Sequence, residues 1–268
     1  MKRLLQHLYD PIFAHAPIQE IRMGLGMPVQ IQTPSGTHRL SLRITKSYLE
    51  ELLSVACDHS LYTACDRLVQ GYLPYRGGVR IGISGAYTLQ QGALGNLSQI
   101  NGVVIRIPHV APLPASIVMR RILGKSVLVV SAPGGGKTTL LRSLAAAIST
   151  QRKGVVILDE RLELSGGIRE EGYHLDVGES MVLLGGGRTL LYQGVIRALS
   201  PSTVVLDELM NSADWQMVHT LKSSGIEVLA SLHAPTLERL PSEAAAFEVA
   251  VLLSARPTAG TVVEVRYA

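Results

Sequence analysis

A chain of 268 residues, 47% of them apolar, is long enough for two domains or one large one, with a core of Leu, Val, Ile and Ala. Its net charge of +4 permits an anionic partner, but no block of Lys and Arg stands out, and two Phe and one Trp make no platform for stacking bases. Nucleic acid is therefore not the expected partner. Cys57 and Cys65 have no His or Cys neighbour at metal-ligand spacing and read as small core residues of a reduced, cytosolic protein. Asp10 and Pro11 cut the apolar run after Met1-Lys-Arg, so no signal peptide is expected. No stretch reaches the ~18 uninterrupted apolar residues of a membrane span, and a soluble or at most peripheral protein follows.

Residues 1–110 alternate short strands, turns and helix, which predicts a small α+β domain. Ile18 to Met23 and Pro28 to Ile31 read as strands about a turn at Gly24-Leu-Gly26. Thr45 is a candidate N-cap for a helix whose apolar face is Leu49, Leu52, Leu53 and Ala56. A second helix is expected from Ser60 to Val69, ending at Gly71, then strands through Tyr75–Ala86 and Val103–Ile107. Pro108, Pro112 and Pro114 mark a boundary. Residues 111–268 begin with a short helix, Ser116 to Leu123, and continue in the βαβ rhythm of a doubly wound parallel sheet, an α/β fold. The expected strands are Val127–Ser131, Val155–Leu158, Thr203–Leu206 and Val228–Ser231, with a final pair, Phe247–Leu253 and Thr261–Arg266. Runs such as Val-Val-Ile-Leu imply burial on both faces of the sheet.

Between the first of these strands and a helix from Thr138 to Ile148 lies Ser131-Ala-Pro-Gly-Gly-Gly-Lys-Thr-Thr139. It fits the phosphate-loop pattern G-x-x-x-x-G-K-[ST] except that Ser131 stands at the first glycine. In that pattern Ala132, Pro133, Gly134, Gly135, Gly136, Lys137, Thr138 and Thr139 wrap phosphate oxygens with backbone N–H groups and a helix N-terminus. Lys137 reaches the β- and γ-phosphates, and the Thr138 hydroxyl completes a Mg²⁺ shell. Ser131 is tolerated only if its φ is negative.

Two strands end in adjacent carboxylates, Asp159-Glu160 and Asp207-Glu208. Ligands of open parallel sheets bind at the carboxyl ends of strands, so both pairs are expected near the phosphates. Chain order favours Asp207 as the Mg²⁺-holding acid and Glu208 as the group that orients the attacking water, with Asp159 and Glu160 as an accessory acidic site nearby and Asp159 a further candidate for the metal shell. The bland alternative for either pair is a solvated strand end. His233 closes another strand at the same edge, as a γ-phosphate sensor or a structural histidine.

The succession of motifs resembles the stage III sporulation protein AA family, sporulation ATPases similar to type II and type IV secretion ATPases. The resemblance covers nearly the whole chain. Its N-terminal part rests on Glu20-Ile-Arg-Met-Gly, Ser60-Leu-Tyr, Gln70-Gly-Tyr, Gly77-Gly-Val-Arg-Ile-Gly-Ile-Ser-Gly85 and Ile100-Asn-Gly-Val-Val-Ile-Arg-Ile107. Its C-terminal part rests on Pro133–Arg142, Leu158-Asp-Glu-Arg161, Arg197-Ala-Leu-Ser-Pro201, Leu206-Asp-Glu-Leu209 and His233. By that likeness residues 111–268 form a RecA-like, AAA+-type P-loop NTPase domain. Lys137 and Thr138 are the Walker-A pair, Asp207-Glu208 the Walker-B pair, Asp159-Glu160-Arg161 the acidic box and His233 the histidine box.

The resemblance implies hydrolysis of ATP with Mg²⁺ in a ring-like homo-oligomer, a hexamer. It also implies cytoplasmic work at the mother-cell membrane facing the forespore, powering a secretion-like channel of membrane-embedded subunits. A ring ATPase of this kind takes a charge-neutralising arginine in trans, for which Arg80 is the first candidate, ahead of Arg76 and Arg106. The alternative for Arg80 is a surface or salt-bridged residue. Besides Ser131, two segments depart from the family pattern: Leu209-Met-Asn-Ser-Ala-Asp-Trp215 lacks a Gly-Arg run, and Gly166 to Leu191 carries Gly185-Gly-Gly-Arg188 in place of a cysteine-containing turn. The rival functions are a nucleic-acid-stimulated RecA-like ATPase and a nucleotide-gated scaffold with little turnover.

Overall fold

The computed structural model describes residues 1–57, 72–90, 93–108, 115–151, 154–167, 175–184 and 196–268. The chain divides into two compact units, Met1–His109 and Val110–Ala268. The helix expected over Ser60–Val69, and Cys65 within it, lie outside the described residues, as does the Gly185–Arg188 run.

In the first unit, β1 (Glu20–Gly24), β2 (Pro28–Thr33), β3 (Gly36–Arg43), β4 (Tyr72–Tyr75), β5 (Val79–Gln90) and β6 (Ala93–Arg106) form an antiparallel sheet of order β3-β2-β1-β6-β5-β4. Alternation puts Ile21, Met23, Val29, Ile31, Ile81, Val103 and Ile105 on one buried face. Against that face pack the short helices α1 (Lys2–Leu5) and α2 (Tyr9–Phe13) and the longer α3 (Lys46–Ala56), through Leu4, Leu5, Ile12, Leu49, Leu52 and Leu53. Thr45 caps α3 as expected, its hydroxyl accepting from the Tyr48 N–H at 3.3 Å. Cys57 is half-buried against this core.

The second unit starts with α4 (Ser116–Ile122). Its sheet contains β7 (Val127–Ser131), β8 (Val155–Asp159), β9 (Met181–Leu184), β10 (Thr203–Leu206), β11 (Glu227–His233), β12 (Val249–Ser254) and β13 (Thr261–Tyr267), in the order β13-β12-β7-β11-β10-β8-β9. All neighbours are parallel except the β12–β13 hairpin. Every residue of β7, β8 and β10 is buried, because each face has its own core. Val127, Val129, Val155, Ile157 and Val205 pack with Leu140, Leu141 and Leu144 of α5 (Lys137–Ser149). Leu128, Val130, Val156, Leu158, Val204 and Leu206 pack with Trp215, Val218 and Leu221 of α6 (Ser212–Ser223). This is the doubly wound arrangement that apolar strand runs predict. Among the described residues no helix is long and apolar enough to cross a membrane.

Candidate active site

The site is built where β7, β10 and β11 end together. Parallel register pairs Ser131 with His233 and Leu206 with Ala230, so the phosphate loop, the Asp207-Glu208 pair and the histidine leave the sheet at one edge. β11 lies between the phosphate-loop strand and the acidic strand, and its side chains therefore join the two.

The loop has the backbone its glycines allow. Gly134 and Gly136 take φ of +75° and +92°, where an L side chain is strained. Gly136 is the N-cap of α5 and has no side chain with which to cap it, so the first-turn N–H groups have no side-chain acceptor. The loop tip, Ala132 to Gly134, is exposed. Ser131 is the last residue of β7, in extended strand, which is the conformation its non-glycine identity requires. Its hydroxyl donates to the Ala132 carbonyl at 2.7 Å. An unforeseen brace comes from the far hairpin: the Gly260 N–H, in the turn between β12 and β13, donates to the Gly135 carbonyl at 3.0 Å.

Lys137 is buried, with Nζ 3.3 Å from both the carbonyl and the hydroxyl of Ser131 and 2.9 Å from His233 Nδ1. Burial pushes its pKa down, while the charges of Glu208 and Asp207 push back. An ammonium has only protons to offer, so Nδ1 is the acceptor and the ring proton sits on Nε2. His233 Nε2 then donates to Glu208 Oε1 at 2.9 Å. The other carboxylate oxygen, Oε2, accepts from Arg161 Nη1 at 2.6 Å. A continuous chain runs from Lys137 through His233 and Glu208 to Arg161.

Asp207 is buried beside it. Thr138 Oγ1 lies 3.3 and 3.4 Å from its two oxygens, and Ser231 Oγ donates to Oδ1 at 3.1 Å. Burial pushes the Asp207 carboxyl above the usual range against the Ser231 hydrogen bond, with Asp159 and Glu208 adding to the rise. Ser231 also accepts from the Glu208 N–H at 3.0 Å, and its carbonyl accepts from the Leu209 N–H at 2.8 Å. These contacts hold Glu208 at φ +49°, left-handed for a non-glycine residue. Sequence reasoning passed over Ser231. The available signal was a polar residue inside the apolar run Val228-Leu-Ala-Ser-Leu, two positions before His233.

Asp159 follows Leu158, the partner of Leu206, and so stands on the strand next to Asp207. Expected in the metal shell, it spends both oxygens on its own loop: Oδ1 accepts from the Glu163 N–H at 2.9 Å, and Oδ2 from the N–H and hydroxyl of Ser165 at 2.7 Å each. Buried Arg142, from α5, holds the same loop through the Leu164 and Glu163 carbonyls at 2.7 and 2.6 Å. Glu160 is half-buried at the end of β8. Arg80 belongs to the other unit, on β5, with its guanidinium 5.2 Å from the centroid of the Tyr72 ring. Arg106, in register with Arg80, pairs with Glu20 at 3.0 Å.

The donors present suit a hard cation. A hydroxyl and a buried carboxylate side by side are oxygen ligands of the kind Mg²⁺ takes, and with phosphates and water one or two protein oxygens suffice. No larger cluster of acidic, His and Cys ligands exists among the described residues.

A glycine loop between a parallel strand and a helix, an acidic strand two places away and a polar-ended strand between them define a RecA-like P-loop NTPase fold. DotB, an ATPase of Legionella pneumophila, has a similar structure (TM-score 0.59, 15% identity, 94% of this chain and 75% of that one). So has the pilus retraction motor PilT, solved with bound ADP (TM-score 0.60, 15% identity, 100% and 82%). The chain belongs to the family described as Sporulation stage III, protein AA, whose pattern it matches over residues 2–264. It is 29% identical over 272 residues to the stage III sporulation protein AA of Bacillus subtilis, spanning 92% of this chain and 86% of that one.

Proposed function

We propose that this protein is a Mg²⁺-dependent ATPase that works as a ring oligomer and powers a secretion-like channel between mother cell and forespore during sporulation. The observation that carries the hydrolytic reading is the convergence of Lys137 and Thr138 on Asp207, Glu208 and His233 at one edge of the sheet. The family, and the likeness in fold to an ATPase and a pilus motor, support the motor role. The hexameric ring, the membrane-embedded partner subunits and the cytoplasmic, membrane-peripheral location follow from the same resemblance.

In this reading backbone amides from Gly134 to Thr138 bind the phosphates, and Lys137 leaves its strand contacts for the β- and γ-oxygens. Thr138 and Asp207 would hold Mg²⁺, which supplies charge neutralisation to the phosphates. Asp159 contributes by anchoring its loop and by its charge. Glu208 orients the attacking water and takes its proton, and Glu160 is the reserve carboxylate. His233 senses the γ-phosphate through the lysine it touches.

Phosphate release by the purified oligomer, with and without single-stranded nucleic acid, is the test. Lys137→Ala abolishes nucleotide binding or turnover. Glu208→Gln retains ATP binding and loses turnover by about 10²-fold or more. Wild-type turnover in Glu208→Gln moves the base to Glu160. No turnover by the wild type under any condition gives the site to a nucleotide-gated scaffold.

A further inference from the structure

Both oxygens of Glu208 are engaged, Oε1 by His233 and Oε2 by Arg161. A carboxylate that is to orient water and take its proton needs an oxygen on which water can replace another donor. Each oxygen faces a protein N–H, and the contact to Arg161, at 2.6 Å, is shorter than the 2.9 Å contact to His233. The two holds differ in what releases them. His233 keeps its proton on Nε2 because Lys137 donates to Nδ1. Nucleotide draws Lys137 to the phosphates, so arrival of substrate unpins the imidazole and loosens the Oε1 contact. Nothing in that sequence touches Arg161, whose guanidinium lies toward the outside of the site with its Nη2 on the Sδ of exposed Met210 at 3.2 Å.

We infer that Arg161 is a positioning residue that parks Glu208, and that its release, separate from the lysine–histidine signal, sets the basal rate of hydrolysis. The inference rests on the hydrolytic reading of the site and adds a brake to it. Position in the chain suits the role: Arg161 is two residues beyond β8 and reaches across to the acid at the end of β10. The pair is partly exposed, at 38% and 21% of the two side chains, so its hold is modest and reversible.

The experiment is steady-state phosphate release at saturating ATP. Arg161→Gln turns over about two- to five-fold faster than wild type, with KM for ATP unchanged, as expected for loss of a partly exposed ion pair. Arg161→Lys keeps the charge, loses the planar fork and falls between the two. In a Glu208→Gln background Arg161→Gln changes nothing, which separates parking from any general loosening of the fold. A rate at or below wild type in a folded Arg161→Gln protein overturns the inference. Were that variant not to fold, Arg161→Lys carries the test, and a rate no higher than wild type is equally fatal. Inactive Glu208→Gln with an unaccelerated Arg161 variant removes the brake and leaves the hydrolytic reading intact. Wild-type turnover in Glu208→Gln, or none in the wild type and both Arg161 variants, removes both.

Discussion

The Ser131 side chain fills the space that a Cβ on Gly135 would need: such a carbon would lie 2.3 Å from Ser131 Oγ and 2.5 Å from its Cβ. The serine at the head of the loop and the middle glycine of the triple run are thus sterically matched. Gly135→Ala forces the loop apart and costs about 1–3 kcal/mol of stability. Ser131→Gly made together with it gives the methyl room, so the double variant loses less than the sum of the two single losses, by about 0.5–3 kcal/mol. Strict additivity in thermal or denaturant unfolding would refute the match. Asp207 makes a second case at this scale, because its burial places function against stability. With its folded pKa raised above the ordinary 3.8 of an Asp carboxyl, the folded chain binds more protons than the unfolded one between those two values. The stability it contributes is complete below the unfolded value and is lost as pH rises through the folded one. Asp207→Asn removes the charge and keeps an oxygen for Ser231 and Thr138. The nucleotide-free variant is therefore more stable than wild type at neutral pH, by on the order of 1 kcal/mol, an advantage that shrinks as pH falls toward 4, while Mg²⁺-dependent turnover disappears. Unfolding midpoints measured from pH 5 to 8 that run parallel would show that Asp207 is no electrostatic burden.

Elements buried on both faces were the legible ones. Val127–Ser131 and Thr203–Leu206 are strands with the expected bounds, because an apolar run between two helix layers has no other way to bury its residues. β8 and β11 end at Asp159 and His233, the polar residues with which the sequence closes those two apolar runs, and β11 starts one residue earlier than its apolar run, at Glu227. Edge strands were harder to read. β3 has no buried face, its residues being half-buried or exposed, and β9 is an apolar run of only four residues, too short for periodicity to mark it as a strand. The helix α6 shows how a departure from a family pattern can be local chemistry. In place of a Gly-Arg run, Asn211 and Asp214 form a capping box: Asn211 Oδ1 accepts from the Asp214 N–H at 3.1 Å and Asp214 Oδ2 from the Asn211 N–H at 3.2 Å. That cap, Asn211, stands three residues after Glu208 and starts α6 at the next residue. Site residues at strand ends were legible by the same logic as the strands. Ser231 and Gly260 were not, and Arg161, placed in the acidic box, gave no sign of its contact with Glu208, since these roles come from parallel register and a hairpin turn that bring distant segments together.

At the scale of the whole molecule the two compact units divide the candidate chemistry: Lys137, Asp207 and Glu208 belong to one, and Arg80 to the other. A phosphoryl-transfer site without a positive group at the developing charge forgoes about 10³–10⁵ in rate. The cation nearest the base, Arg161, is engaged with Glu208 itself. In the ring proposed above a neighbouring subunit is another source, and Arg80 is the residue we assign to that role. In its own unit the Arg80 guanidinium lies over the Tyr72 ring, and Arg106 is paired with Glu20. The assignment predicts complementation. Arg80→Ala rings lack the arginine at every site, and Glu208→Gln rings lack the base at every site, so each alone is inactive. In an equimolar mixture that exchanges subunits, an Arg80→Ala subunit beside a Glu208→Gln neighbour contains one complete site, and about a quarter of all sites are restored. Phosphate release should therefore rise in the mixture above both parents and peak near equal proportions. A flat response across the mixing series, with subunit exchange verified by a size or fluorescence label, means that Arg80 acts within its own subunit or not at all.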